Sequence, residues 1–255
     1  HVRSRRQRQM CIRDRATPVQ AIYQYYNRAP FVIIGRKDRG ITTDFASLQG
    51  KKVAAAAVES TRRCWTMVAR QLGTPQDLFQ WVTTDFSARD NVVVRGDVDA
   101  ATYFHDSAVS LFARLPQQDL SVLEYAKTGL NLYGNAVLAS SRLIAEKPAA
   151  LRGFLAASNR ALKETLADPE PALAAIKARE GILNLDVERA RWAITRQYLA
   201  TAENRELGLG ALRPDILQHQ IDEVAAVFGL NSKPTVGQVF HSGLLPAAAQ
   251  RQVNA

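Results

Sequence analysis

From Pro18 onward, short β-branched and apolar runs alternate with amphipathic stretches, and Gly, Pro, Asn and Asp punctuate the joins. Val19 to Tyr26 and Phe31 to Gly35 read as two strands around the break Asn27-Arg28-Ala29-Pro30. After the polar turn Lys37 to Gly40, Thr43-Asp44 is a cap candidate for a short helical turn that ends by Gly50. KKVAAAAV (Lys51 to Val58) predicts a buried strand. Ser60 or Thr61 stands ready to cap a helix in which Cys64, Val68 and Leu72 recur at i, i+4 and i+8 and which Gly73 stops.

A second unit follows: strand Phe79 to Val82, helix Ser87 to Arg95 stopped at Gly96, and strand Val98 to Thr102. A helix after His105 and the strand Leu120 to Ala126 complete it. Strands alternating with helices of about ten residues predict a mostly parallel sheet covered on both faces, a doubly wound α/β lobe. Asn135 to Ser140 is one more strand. Beyond Ser141 the pattern is helical: Pro148 opens a helix through Leu166 and Pro169 opens another. Asp186 caps a helix with Val187, Ala190, Ile194 and Tyr198 on one face. Pro214 opens one with Leu217, Ile221, Val224 and Phe228 on one face.

Composition narrows the class without naming it. The 255 residues, 47% hydrophobic and 22% charged, exclude a disordered, collagenous or small disulfide-stapled chain and allow one large domain or two small ones. No stretch reaches the ~18 to 20 apolar residues of a membrane helix, and no apolar run near residue 1 resembles the core of an export signal. Cys11 and Cys64 define no framework, and no Cys/His cluster has metal-ligand spacing, so neither metal nor cofactor is expected. The net charge of +9 is lopsided: residues 1–15 hold six Arg and one Asp, a net +5, leaving +4 for the remaining chain. An arm for nucleic acid is one reading of that segment. Without a helix-turn-helix, zinc finger or aromatic-interleaved basic stripe behind it, the segment reads instead as a non-native or disordered tail, and no nucleic-acid partner is expected.

Enzyme signatures are missing: there is no Gly-rich phosphate loop, nucleophile elbow, HExxH or CxxC, and His1, His105, His219 and His241 are scattered. Three turns carry more. Val58-Glu59-Ser60-Thr61-Arg62-Arg63 feeds a strand into a capped helix, whose free N–H groups and positive dipole end suit an anionic or polar group held with Ser60, Thr61 and Arg62. A plain N-cap with solvated arginines has the same pattern. Thr102-Tyr103-Phe104-His105-Asp106 gathers aromatics, an imidazole and a carboxylate that suit a planar ligand, or core packing. Gly129 to Asn135 combines glycines, Tyr133 and amides just before a strand, or is a plain loop.

The succession PVQAIYQYYNRAPFVIIGRKDRGITT, FASLQGKKVAAAAVEST, VVVRGDVDAAT, GLNLYGNAVLAS and LIAEKPAALRGFLAASNRALKETLADPEPALAAI, from about Pro18 to Pro246, resembles the solute-binding proteins of ABC importers. The nearest branch binds thiamine-pyrimidine precursors, riboflavin, taurine, alkanesulfonates or nitrate. The resemblance implies a type II periplasmic-binding-protein fold, two α/β lobes joined by crossing strands, with a helical C-terminal part. Lobe one would hold residues 16–37 and 130–255, and lobe two residues 38–129. By position, Glu59, Ser60, Thr61 and Arg62 match the cleft loop of lobe two, Phe104 and His105 the aromatic cleft turn, Tyr133 and Asn135 the returning hinge, and Tyr25 the outgoing strand at the cleft.

The same resemblance implies a monomer that captures a small planar heteroaromatic nutrient, or else a sulfonate, taurine or nitrate-type anion. It would hand the ligand to a permease and ATPase from the periplasm. Ala108 stands where pyrimidine-binding members often carry a Glu, which weakens the pyrimidine reading. The cysteine-rich motif and active-site histidine of the related pyrimidine synthases are missing, so no enzyme is expected. Transcription regulators with this fold carry a winged helix-turn-helix in front, for which residues 1–15 are too short. Because the resemblance starts at strands leading to the hinge, the chain is expected to be a fragment of lobe one's full complement. Val19 to Tyr26 and Asn135 to Ser140 should then lack sheet neighbours, and the chain alone should bind poorly and aggregate.

Overall fold

The computed structural model of the protein describes residues 18–253. The basic segment 1–15 lies outside the described residues. Among the described residues, seven strands form two sheets: β1 (Val19–Gln24), β2 (Phe31–Arg36), β3 (Lys52–Ala55), β4 (Gln80–Thr83), β5 (Ala100–Phe104), β6 (Leu120–Glu124) and β7 (Ala136–Ser140). The larger sheet has the order β4-β3-β5-β2-β6, and β1 pairs with β7 in a separate two-stranded sheet.

The larger sheet is mixed. β3 runs parallel to β4 and β5, whereas β2 is antiparallel to both β5 and β6. β2, expected with the first lobe, thus sits inside the sheet of the second. Its alternate side chains feed opposite cores, as the period of two requires. Ile33 packs with Phe45, Trp65 and Tyr125 on one face. Val32 and Ile34 pack with Val93, Tyr103 and Leu111 on the other.

The helices are α1 (Ser60–Leu72), α2 (Arg89–Arg95), α3 (Val109–Phe112), α4 (Ser141–Glu146), α5 (Pro148–Ala167), α6 (Glu170–Arg179), α7 (Leu185–Leu199), α8 (Ala202–Leu207) and α9 (Pro214–Phe228), with single turns at Val236–Val239 and Ala248–Arg251. Asp44 caps its short turn as expected, its Oδ1 accepting from the Ala46 N–H at 2.9 Å. Two other caps are corrected. Glu59, not Ser60 or Thr61, is the N-cap residue of α1, because the strand ends early at Ala55 and the chain turns one residue sooner. Asn184, not Asp186, caps α7, its Oδ1 accepting from the N–H of Asp186 at 2.9 Å.

β1 and β7 have each other as neighbours, paired from Val19 opposite Ser140 to Gln24 opposite Ala136, but β7 has no second strand partner among the described residues. The other edge of β1 meets later chain through bridges of Ala21 to Phe240 and Gln24 to Gly210. Ile22 and Tyr23 then enter the second major core, with Leu151, Leu155 and Leu162 of α5 and Tyr198 and Leu199 of α7. Tyr23 donates its hydroxyl proton to Asn159 at 2.9 Å, so the buried phenol is satisfied. Leu138 on β7 remains 62% exposed.

Two segments cross between the sheets side by side. The N–H groups of Tyr25 and Tyr26 donate to the Asn135 carbonyl, that of Gly134 donates to Tyr26 O at 2.8 Å, and that of Ala29 donates to Leu132 O at 2.7 Å. Buried Gln24 staples the crossing, its Nε2 reaching Tyr26 O at 2.7 Å and the carbonyls of Gly134 and Asn135 at 3.2 Å. Closeness explains Gly134: a Cβ there would stand 2.8 Å from Tyr26 Cβ and 3.1 Å from Arg28 O. Gly134→Ala is expected to lower unfolding free energy by about 1–3 kcal/mol. Gly153→Ala, in the open interior of α5, is expected to raise it by about 0.5–1 kcal/mol. Urea unfolding of both variants checks the pair; equal effects would contradict the crossing described.

Candidate functional site

A cavity of about 540 Å³ opens at the carboxyl ends of β3 and β5. The turn from β3 into α1 supplies Val58, Glu59, Ser60 and Thr61, the approach to α2 supplies Phe86 and Arg89, and the end of β5 supplies Phe104 and Ser107. The first helical N–H to find an acceptor is that of Arg63, on Glu59 O at 3.1 Å. The amides of Ser60, Thr61 and Arg62 therefore precede the helical ladder and give the α1 terminus its partial positive charge.

Beneath that terminus lie two opposite charges. Arg89 Nη1 is 3.5 Å from Glu59 Oε2, and the residues are only 8% and 6% exposed. The same Glu59 oxygen accepts from the Ala56 N–H at 3.1 Å. The Arg89 guanidinium lies 4.0 Å above the Tyr103 ring and 5.3 Å from that of Phe86. Tyr103 is held from behind by its hydroxyl, which donates to Asp90 at 2.7 Å. Burial, reinforced by Asp90, pushes the Tyr103 phenol far above its ordinary range, so it stays a neutral donor. The pair is not saturated: Glu59 Oε1 and Arg89 Nε have no hydrogen-bond partner among the described residues.

The cavity thus unites Glu59, Ser60, Thr61 and Phe104 from the sequence-based set. The others stand elsewhere. Arg62 turns outward, its Nη1 donating to Thr83 at 3.0 Å and its guanidinium 5.2 Å from the Trp81 ring. His105 Nδ1 lies 3.0 Å from the Tyr198 hydroxyl, with its ring edge-on to Phe112 and Tyr198, so it pins α7 to the large sheet. Tyr25 packs on Tyr26 with ring centres 5.0 Å apart. Tyr133 donates to Glu203 at 2.7 Å and accepts from the Arg213 N–H at 2.8 Å, while Asn135 contributes its carbonyl to the crossing. Ala108, at the position of the expected Glu, is fully buried beside Val93 and Leu111. Ser107 faces the cavity instead.

Sequence reasoning missed Arg89. One signal was available: a cation in the first turn of a helix opposes the dipole, so an arginine there needs a carboxylate from elsewhere. Glu59 is that carboxylate.

The sequence model of the family described as NMT1/THI5-like matches residues 4–172. The chain belongs to that family. A comparison with curated protein sequences finds no match. Among solved structures, this NMT1/THI5-like chain is similar to the periplasmic aliphatic sulphonate-binding protein SsuA from Escherichia coli, with TM-score 0.71 and 18% identity over 94% of this chain and 74% of that one. It is also similar to the alkanesulfonate-binding protein SsuA from Xanthomonas axonopodis pv. citri bound to MOPS, with TM-score 0.62 and 15% identity over 89% of this chain and 74% of that one. The desulfurization enzyme DSZB shares the architecture at TM-score 0.56 and 14% identity, over 92% of this chain and 80% of that one. The fold is that of the periplasmic binding proteins, with a helical C-terminal part, as the resemblance implied. Among the described residues, no group of three or more His, Cys, Asp and Glu is placed to hold a metal ion, and no helix is long and apolar enough to cross a membrane.

Burial pushes His105 below its usual imidazole range, against a smaller opposing pull from Glu124 and Asp106. The unfolded chain therefore takes the proton first. The contribution of neutral His105 is complete above about pH 6.5 and is lost as the pH falls through and below that value. In urea titrations between about pH 7.5 and pH 5.5, wild type is expected to lose stability more steeply than His105→Gln. Parallel curves would show that the imidazole is not the group responsible.

Proposed function

We propose that this protein is the solute-binding component of an ABC importer and captures a small organic anion in the cavity between the α1 terminus and Arg89. One observation carries the choice of ligand: Arg89 is a nine-tenths-buried guanidinium that lines the cavity and has an Nε without a partner among the described residues. A buried cation with unused donors, next to free helix-terminal amides, is stabilised by a negative group placed between them. The names of two structural neighbours, a sulphonate-binding protein and one bound to MOPS, support a sulfonate as that group.

The thiamine-precursor-like reading is a second possibility, favoured by Phe86 and Phe104, which offer ring faces to a flat ligand body. Tyr25 is not among the residues lining this cavity. Capture rather than chemistry is supported by the neighbours whose names describe binding proteins. On this reading the two lobes close about the Tyr25–Pro30 and Leu130–Asn135 crossing, and the ligand favours the closed arrangement through contacts made only there. A permease and an ATPase are the implied partners and the periplasm the implied compartment.

Calorimetric titration of benzenesulfonate and of 4-amino-5-hydroxymethyl-2-methylpyrimidine tests the assignment. Benzenesulfonate is expected to bind, with affinity falling roughly tenfold or more in Arg89→Gln and staying within about twofold in Arg62→Gln. The reverse ranking of the two arginines would overturn the site, and binding of the pyrimidine alone would shift the assignment to the flat-ring ligand.

A further inference from the structure

The charges around the cavity limit how much negative charge a ligand can bring. Arg89 contributes one positive charge, and the α1 terminus contributes the equivalent of about half of one. Glu59 sets a full negative charge against them, buried and 3.5 Å from Arg89. Ser60, Thr61 and Ser107 are neutral donors. The lining therefore carries a small positive balance, and because the cost of desolvating a ligand rises with the square of its charge while attraction to that balance rises only in proportion, one ligand charge is favoured over two.

We propose that Glu59 is a charge filter that admits monoanionic ligands and rejects dianions such as phosphate monoesters. This deepens the anion-capture reading and rests on it. Geometry gives Glu59 no freedom to withdraw. Its Oε2 is fixed by the Ala56 N–H and by Arg89, and the strand end and helix start on either side leave it at the floor of the cavity. Its Oε1 has no donor among the described residues, so hydrogen bonding does little to spread the negative charge away from an incoming anion. Repulsion scales with ligand charge. A dianion meets about twice the penalty of a monoanion of the same shape. Removing the carboxylate charge that raises monoanion affinity by some factor should therefore raise dianion affinity by about the square of it.

Benzenesulfonate and phenyl phosphate are matched probes, alike in shape, with the phosphate doubly charged at about pH 8 because its second ionisation lies near 6. Wild type is expected to prefer benzenesulfonate by roughly tenfold or more. Equal affinities in wild type would overturn the filter without any variant. In Glu59→Gln the amide carbonyl can still accept from the Ala56 N–H, and a thermal melt by circular dichroism checks that the variant folds. The ratio of phenyl phosphate to benzenesulfonate affinity should rise roughly tenfold or more in that variant, and Glu59→Asp should keep the wild-type ratio to within about threefold. An unchanged ratio in folded Glu59→Gln, with benzenesulfonate still bound, overturns the filter and leaves anion capture standing. Failure of benzenesulfonate to bind wild type overturns the capture reading and the filter together.

Discussion

A carboxylate and a guanidinium, Glu59 and Arg89, are held together where water is nearly excluded. Such a pair is costly to bury, because desolvation of each ion offsets much of their attraction. The local architecture reduces that cost without removing it. The Tyr103 ring lies under the guanidinium, Ala56 donates to the carboxylate, and Asp90 fixes the Tyr103 hydroxyl. These supports come from strands β3 and β5 and helix α2, so the pair depends on the whole face of the larger sheet. Arg89 Nε and Glu59 Oε1 are buried without hydrogen-bond partners among the described residues, an unsatisfied remainder that the proposed anion-binding role would account for.

The second sheet matters through the crossing. Backbone hydrogen bonds hold residues 25–29 against 132–135, and Gln24 ties three carbonyls there. Polar contacts near the end of β5 join the lobes on one side: His105 to Tyr198, the Tyr26 hydroxyl to Asp106 at 3.0 Å, and Arg191 to Asp106 O at 3.0 Å. On another side α9 packs its Val224 and Val227 against the core that holds Trp65 and Met67 of α1. On the proposed reading, lobe closure about such a crossing would leave the backbone hydrogen bonds in place and exchange these side-chain contacts. That is the repertoire expected of hinge closure.

Element order was legible in the sequence where one signal acted alone. Gly73 and Gly96 stop α1 and α2 in left-handed conformations with positive φ of 65° and 80°, but the apolar spacing of Cys64, Val68 and Leu72 marked the buried side of α1 only in part: Val68 is fully buried, Leu72 is 41% exposed, and Trp65 and Met67 fill the core instead. Boundaries slipped where two signals competed. The alanine run through Ala57 and Val58 reads as strand, yet burial of the Glu59 carboxylate forces the turn at Ala56, and Val58 is left exposed. The antiparallel insertion of β2 carries no local mark, because a strand buried on both faces has the same composition in either direction. Glu59, Ser60, Thr61 and Phe104 were legible because they follow strand ends. Arg62 and His105 share that feature and still point to Thr83 and Tyr198. Arg89 was hidden because its role depends on a carboxylate thirty positions earlier.

On the proposed function, an anion sits between the free amides of α1 and the Arg89 guanidinium. The most direct measurement is a ¹H–¹⁵N titration of the full chain with benzenesulfonate, following the backbone amides and the Arg89 Nε–H. An anion bound there should give the largest, saturable shifts, with one shared affinity, at the amides of Ser60, Thr61 and Arg62 and at Arg89 Nε–H. Shifts confined to the exposed arginines, or centred on other helices while these four signals stay fixed, would contradict it.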